Sequence, residues 1–286
     1  MKTLLITCGI IVLSVCELAL GQNATQPVTL VIHVDAGKKQ APPLSKSDVL
    51  ILDNDTKIDA VSVVEAALTR DATFAVVVDA SGSNRDKIDF IRKSVIDVFD
   101  AMTSAPGSRG LLFVFADTIA GGTRWVQRAE AEQVMRGFRV KQGGPTALYG
   151  AIVDVAKRLG QENGTSRRLL FVITDGDDNA AGVSSQDAVD ACLSAGVTVI
   201  PIGLLSYERE KVGKKNLRDL ADATGGRAVI LDRPADVKSL VSNVLKSEYL
   251  VTFNPTKAAG YHRLSIEMQS APKGTSLKVP KGYYAR

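Results

Sequence analysis

Four stretches of this chain are apolar almost from end to end: "FAVVV" (74–78), "GLLFVFA" (110–116), "RLLFVIT" (168–174) and "VTVIPIG" (197–203). None alternates polar with apolar side chains. Such a strand has no face to offer water, so it belongs in a parallel sheet covered by helices on both sides. A fifth run, "GRAVIL" (226–231), reads as a further strand. The segments between them have helical spacing. From Asp86 to Met102, the residues Ile88, Ile91, Val95, Val98, Phe99 and Met102 recur in steps of three and four, which makes one apolar stripe. Similar patterns predict helices over 146–160, 184–196, 215–226 and 234–248. Gly160, Gly196 and Gly225 stand where left-handed helix stops are expected, and Asp232 to Pro234 suit a helix start. Strands alternating with helices of this length define a doubly wound α/β sheet.

The two ends differ from this middle. Residues 27–70 contain "VTLVIHV", "DVLILDN" and "DAVSVVEA", and residues 247–286 contain "EYLVTFNP", "YHRLSIEMQ" and "TSLKVPKGYYA". "HRLSIEM" alternates, as a half-exposed antiparallel strand does. Neither end supplies a sheet alone, but together they offer about six strands. The expected organisation is therefore a leader over 1–21, an N-terminal β part over 22–70, an α/β domain over 71–246 and a C-terminal β part over 247–286. The α/β domain is inserted in one β unit built from both chain ends. The last helix runs into "SEYLVTF" with neither Gly nor Pro between them.

Residues 1–21 read as a secretory signal, with Lys2 before the apolar "TLLITCGIIVLSV" and small residues in "ALG" ahead of Gln22. The expected product is secreted, or held in the periplasm or cell envelope; a retained anchor is the alternative. No later segment approaches the roughly 20 apolar residues of a membrane span. Cys8 and Cys16 leave with the signal, and Cys192 then has no intrachain partner. Cys192 lies on the apolar face of its helix and reads as a buried, inert thiol. A net charge of +4 with scattered Lys and Arg gives no nucleic-acid patch. The knot "REKVGKK" (209–215) includes a glutamate and reads as a solvated helix start.

Chemistry concentrates after three strands. The first long run stops at Asp79, and Ser81 and Ser83 follow at alternate positions. "QGGPTALYG" sets Thr146 behind two glycines, and "TDGDDN" places Asp175 directly after the third long run. The carboxyl ends of parallel strands share one edge, so three loops can bring five oxygen-bearing side chains together. Hard oxygen donors suit Mg²⁺, Mn²⁺ or Ca²⁺. Two carboxylates offset a divalent charge, and neutral hydroxyls leave the ion able to take one more anionic oxygen. Asp177 and Asp178 read as exposed loop acids, Tyr149 as a packing residue, His33 and His262 as strand residues, and Trp125 as part of a hairpin near the sheet edge.

"DASGS" (79–83) matches the D-x-S-x-S motif of von Willebrand factor type A domains, and Thr146 and Asp175 stand where that family's second and third metal-site segments fall. The middle of the chain therefore resembles that family. The resemblance implies a Rossmann-like fold and a metal-ion-dependent adhesion site of Mg²⁺ type, with Asp79, Ser81, Ser83, Thr146 and Asp175 as ligands, some through water. It also implies a protein or peptide partner that offers a carboxylate. The ends, through "LVIHVDA", "LSKSDVLILDN" and "VPKGYYA", resemble a narrower group, the von Willebrand A-related proteins abundant in Acidobacteria.

A binding module is thus the expected function, and no enzymatic activity is expected. The alternatives are a Mg²⁺-dependent hydrolase and an envelope-complex scaffold with a structural metal. The chain has no G-x-S-x-G elbow and no phosphate loop, and its two histidines lie far from the three oxygen-bearing loops. Aspartyl-phosphate chemistry wants a carboxylate two residues after the first aspartate, where this chain has Ser81.

Overall fold

The computed structural model describes residues 26–37, 42–66, 72–103, 107–121, 124–162, 167–205, 210–256 and 259–285. The leader expected over 1–21, with Cys8 and Cys16, lies outside the described residues. The central sheet has six strands: β5 (Ala72–Asp79), β6 (Arg109–Phe115), β7 (Ile119–Gly121), β8 (Arg167–Ile173), β9 (Val197–Leu204) and β10 (Val229–Leu231). Their spatial order is β10-β9-β8-β5-β6-β7, and all pairs are parallel except β6 with β7. Every residue of β5 is buried, as its unbroken apolar run requires.

Among the described residues six helices flank this sheet: α1 (Ile88–Met102), α2 (Arg128–Arg136), α3 (Leu148–Gly160), α4 (Ser185–Ala195), α5 (Lys211–Ala223) and α6 (Val237–Lys246). Phe74, Val76 and Val78 of β5 face α1, α2 and α6; Ala75 and Val77 face α3, α4 and α5. The α1 stripe predicted from spacing is the buried one: Ile91, Val95, Val98, Phe99 and Met102. Burial of each contributes roughly 1.5–3 kcal/mol. Gly196 and Gly225 do adopt left-handed backbone, at φ 63° and 76°. Gly160 does not, and remains inside α3. A β-carbon there would sit 3.0 Å from the Ala195 side chain, so this glycine serves close packing of α3 on α4. The last helix starts later than Asp232–Pro234 suggests, with Asp236 capping Ser239.

Eight further strands among the described residues, two more than expected, form a sandwich from both chain ends. One sheet orders β13 (Ser276–Lys278), β1 (Val28–Asp35), β11 (Glu248–Phe253) and β4 (Ala60–Glu65). The other orders β14 (Gly282–Ala285), β12 (Gly260–Met268), β2 (Val49–Asp53) and β3 (Thr56–Ile58). Both sheets mix the two ends: β11 lies between β1 and β4, and β12 pairs with β2. Asn54 and Asp55, both at positive φ, form the two-residue turn between β2 and β3.

The terminal motifs build this sandwich. Asp53 of "LDN" is fully buried; its Oδ2 accepts from the Thr256 backbone and hydroxyl, and its Oδ1 lies 2.7 Å from His262 Nδ1. The Tyr283 ring of "KGYYA" stacks on His262. Both histidines lie in strands, His33 in β1 and His262 in β12.

Only Ser247 separates α6 from β11, so the two parts of the molecule join without a linker. The junction has a buried ionic core. Glu248 takes His33 Nε2 at 3.2 Å on one oxygen and Arg167 Nε at 2.8 Å on the other, and Arg167 Nη2 adds a second contact. Pro280 packs on Gly225, and Lys281 N–H donates to Ala223 O at 3.1 Å. A β-carbon on Gly225 would meet Pro280 Cδ at 2.5 Å. With its φ of 76° forbidding easy relief, a Gly225→Ala variant will lose about 2 kcal/mol or more. The loss is read as a lower urea midpoint with the slope retained; an unchanged midpoint would show that Pro280 does not seat there.

Candidate metal centre

The sheet order reverses beside β5, where β6 lies on one side and β8 on the other. The loops after β5 and β8 lead toward helices in opposite layers and leave a crevice at the carboxyl edge. Asp79 ends β5 in that crevice and is fully buried. Its Oδ1 accepts the Ser81 N–H at 2.8 Å, which turns the chain sharply out of the sheet. Its Oδ2 accepts the Thr174 hydroxyl at 2.7 Å, from the loop after β8. Ser81 Oγ and Ser83 Oγ lie 3.0 Å apart, and Asn84 Nδ2 donates to Ser81 Oγ at 3.3 Å. Ser81 is buried, whereas Ser83 reaches solvent.

Asp175 follows Thr174 and is 5% exposed. Asp177 N–H donates to its Oδ1 at 3.3 Å. Thr146, also 5% exposed, precedes α3 rather than beginning it. Asn179 fastens it to the Asp175 loop: the Thr146 N–H donates to Asn179 Oδ1 at 2.5 Å, and the Asn179 N–H returns to Thr146 O at 3.1 Å. The Asp79 loop is tied to the Asp175 loop through Thr174, and the Thr146 loop through Asn179.

Burial pushes the Asp79 carboxyl up to about 6, and the neighbouring Asp175 charge adds to the rise; the Ser81 and Thr174 hydrogen bonds oppose it. Among the described residues neither Asp79 nor Asp175 takes part in an ion pair. Two buried carboxylates without a cation, beside neutral hydroxyls, form a hard-oxygen donor set that fits a Mg²⁺-type ion.

Asp178 differs from the expected exposed acid. It is half-buried and accepts the Tyr149 N–H at 3.1 Å at the start of α3, where a carboxylate favours the helix dipole. Asp177 is the exposed acid expected; partial desolvation, Asp175 and Glu210 raise its carboxyl, and Lys87 opposes them. Tyr149 packs at the edge of the apolar layer and lines a groove of about 370 Å³ between α4 and α5. Trp125 lies between β7 and α2, with the Arg109 guanidinium 4.6 Å from its ring centre. Cys192 is fully buried, which pushes its thiol up to about 12. Sequence reasoning missed Thr174, Asn84 and Asn179. "TDGDDN" held a signal for two of them, since hydroxyl and amide side chains beside a buried aspartate are its natural hydrogen-bond partners.

A family model for the von Willebrand factor type A domain matches residues 74–243. The chain belongs to this family. Von Willebrand factor type A domains are modules for protein interaction. Solved structures share the fold. An aerotolerance-related membrane protein from Bacteroides fragilis NCTC 9343 is 17% identical at a TM-score of 0.50; the match covers 61% of this chain and 98% of that one. A von Willebrand factor type A protein from Catenulispora acidiphila is 14% identical at a TM-score of 0.52, over 92% of this chain and 74% of that one. The second likeness extends beyond the central sheet into the terminal strands. No curated protein matches the chain. Among the described residues, no helix is long and apolar enough to cross a membrane.

Proposed function

We propose that this chain is an exported adhesion or scaffold module, secreted or held in the cell envelope, that grips its protein partner through a divalent ion. Asp79, Ser81, Ser83, Thr146 and Asp175 hold the ion, which is Mg²⁺ in this reading, with Mn²⁺ or Ca²⁺ as the other hard cations the donors suit. The supporting observation is the pair of buried, cation-free carboxylates at adjacent strand ends. Two carboxylates offset the ion's charge, and the neutral hydroxyls leave it able to attract a carboxylate from a partner. When bound, the ion supplies that electrostatic attraction. Asp79 and Asp175 fix its position, Thr174 and Asn179 orient the loops, and the exposed Ser83 lies on the open side.

A binding module accounts for the cluster better than an enzyme does. His33 and His262 lie in the sandwich and Cys192 is sealed in the core, so none stands ready as a base or nucleophile beside the oxygens. The test is capture from native extract in Mg²⁺ and in chelator, with Asp79→Ala as control. Capture should need both Mg²⁺ and Asp79, and titration calorimetry should show one divalent site lost in the variant. Equal capture in chelator, or unchanged Mg²⁺ affinity in Asp79→Ala, would refute the reading.

A further inference from the structure

Two like charges held side by side need something to fix their separation before any ion arrives. The Asp79 loop continues through a short turn, Gly82–Lys87, into α1. Lys87 ends that turn, and its Nζ donates to Glu210 Oε1 at 2.7 Å. The two side chains are only 7% and 11% exposed, and 123 residues separate them in sequence. Glu210 immediately precedes α5. Three residues later, Gly213 lies on the backbone of the Asp175 loop so closely that a β-carbon would fall 2.0 Å from Asp175 O. Gly176, at φ 83°, meets Gly213 in return, with a hypothetical β-carbon 2.6 Å from Gly213 O. One turn further along α5, Asn216 Nδ2 donates to Gly176 O at 3.1 Å. The start of α5 is therefore bolted to the Asp175 loop at Gly213 and Asn216, and to the Asp79 loop through Lys87.

We propose that the start of α5 is a clamp that sets the spacing of the Asp79 and Asp175 loops, with Lys87, Glu210, Gly213 and Asn216 as its positioning residues. The consequence for metal binding rests on the function proposed above; the clamp itself rests on these separate contacts. A nearly buried ion pair is a poor source of net stability, because desolvation offsets most of its attraction. What such a pair supplies here is a second tie between the two loops, in addition to the Thr174 hydroxyl on Asp79 Oδ2. Gly213 fits the same account, since any side chain would force α5 away from Asp175.

The test compares Lys87→Met, Glu210→Gln, Lys87→Arg, the charge swap Lys87→Glu with Glu210→Lys, and Asn216→Ala. Circular dichroism checks the fold of each. Hydrogen exchange on the metal-free protein reads the 81–84 and 175–178 amides, and calorimetry reads Mn²⁺ affinity. Lys87→Met and Glu210→Gln should loosen both amide sets and weaken Mn²⁺ binding about tenfold or more, as loss of outer partners of a metal site does. Lys87→Arg and the charge swap should restore both readouts. Asn216→Ala, which leaves the ion pair intact, should loosen 175–178 alone; it decides the matter if the single charge variants do not fold. The clamp is overturned if 175–178 keeps its protection in the folded charge variants, or in Asn216→Ala where those variants do not fold. Affinity loss that neither Lys87→Arg nor the swap repairs also overturns it. Should wild type bind no Mn²⁺, the metal reading fails, and the exchange data alone decide the clamp.

Discussion

Replacing Asp79 by Asn will stabilise the metal-free protein at neutral pH and abolish its response to Mg²⁺. The two effects have one cause. The Asp79 carboxyl ordinarily ionises at 3.8, and burial pushes it up to about 6 in the fold. A carboxyl raised in the folded state favours folding while it is neutral. Its contribution is fully present below 3.8 and is lost as pH rises through 6. At pH 7.5 the folded chain therefore carries a buried charge that costs about 3 kcal/mol relative to acid. Asn removes that cost but not cleanly. The carboxylate accepts from both the Ser81 N–H and the Thr174 hydroxyl, and one amide oxygen cannot replace two acceptors. The expected net gain is about 1–2 kcal/mol at pH 7.5, shrinking toward zero or below at pH 5.

Mg²⁺ at 100 times its dissociation constant should stabilise wild type by about 2.7 kcal/mol and leave the variant unmoved. Urea unfolding at both pH values, in chelator and in Mg²⁺, measures all four quantities. A variant less stable than wild type at pH 7.5 in chelator, or one that still gains stability from Mg²⁺, would sink the idea. A stability cost at the proposed metal site would point to function rather than to packing.

The parallel sheet was legible because its strands are buried on both faces and carry no alternation to confuse the period. Asp79 and Asp175 were legible for a related reason: an acid directly after an all-apolar strand has no packing role to explain it. The sandwich was only half legible. Its short strands β3, β13 and β14 have three or four residues each, too few to show a period. Pairing such as β1 with β11 joins residues more than 200 positions apart, which no local pattern encodes. Lys87 and Glu210 look like surface charges for the same reason, since only the fold brings them together. Gly213 lies inside "REKVGKK", which reads as a solvated helix start, and no local pattern encodes the Asp175 carbonyl packed against it.

The second large effect is expected at the junction, at the opposite end of β8 from the proposed metal site. Glu248 opens β11 and is 1% exposed; Arg167 opens β8 and is 3% exposed. The carboxylate bridges Arg167 of the α/β domain to His33 of the sandwich, and His33 Nδ1 lies 2.8 Å from Gly225 O. Removing Glu248 strips Arg167 and His33 of the buried carboxylate they share, and removing Arg167 leaves that carboxylate without its guanidinium. Glu248→Gln and Arg167→Met should each lower stability by about 3–5 kcal/mol. The double change Arg167→Met with Glu248→Met removes both charges, and apolar side chains of similar volume should recover most of that loss. Because β11, from the C-terminal part, is flanked by β1 and β4 of the N-terminal part, strain at Glu248 reaches across the sheet that joins the two chain ends. Each single variant should therefore unfold the sandwich at lower urea than the central sheet, splitting one transition into two. Trp125, beside the central sheet, reports that domain by fluorescence, and exchange of the 249–253 amides reports the sandwich. A loss below about 1 kcal/mol in Glu248→Gln would show that the network does not hold the domains together. Equal losses in the single and double variants would assign the effect to packing rather than to stranded charge.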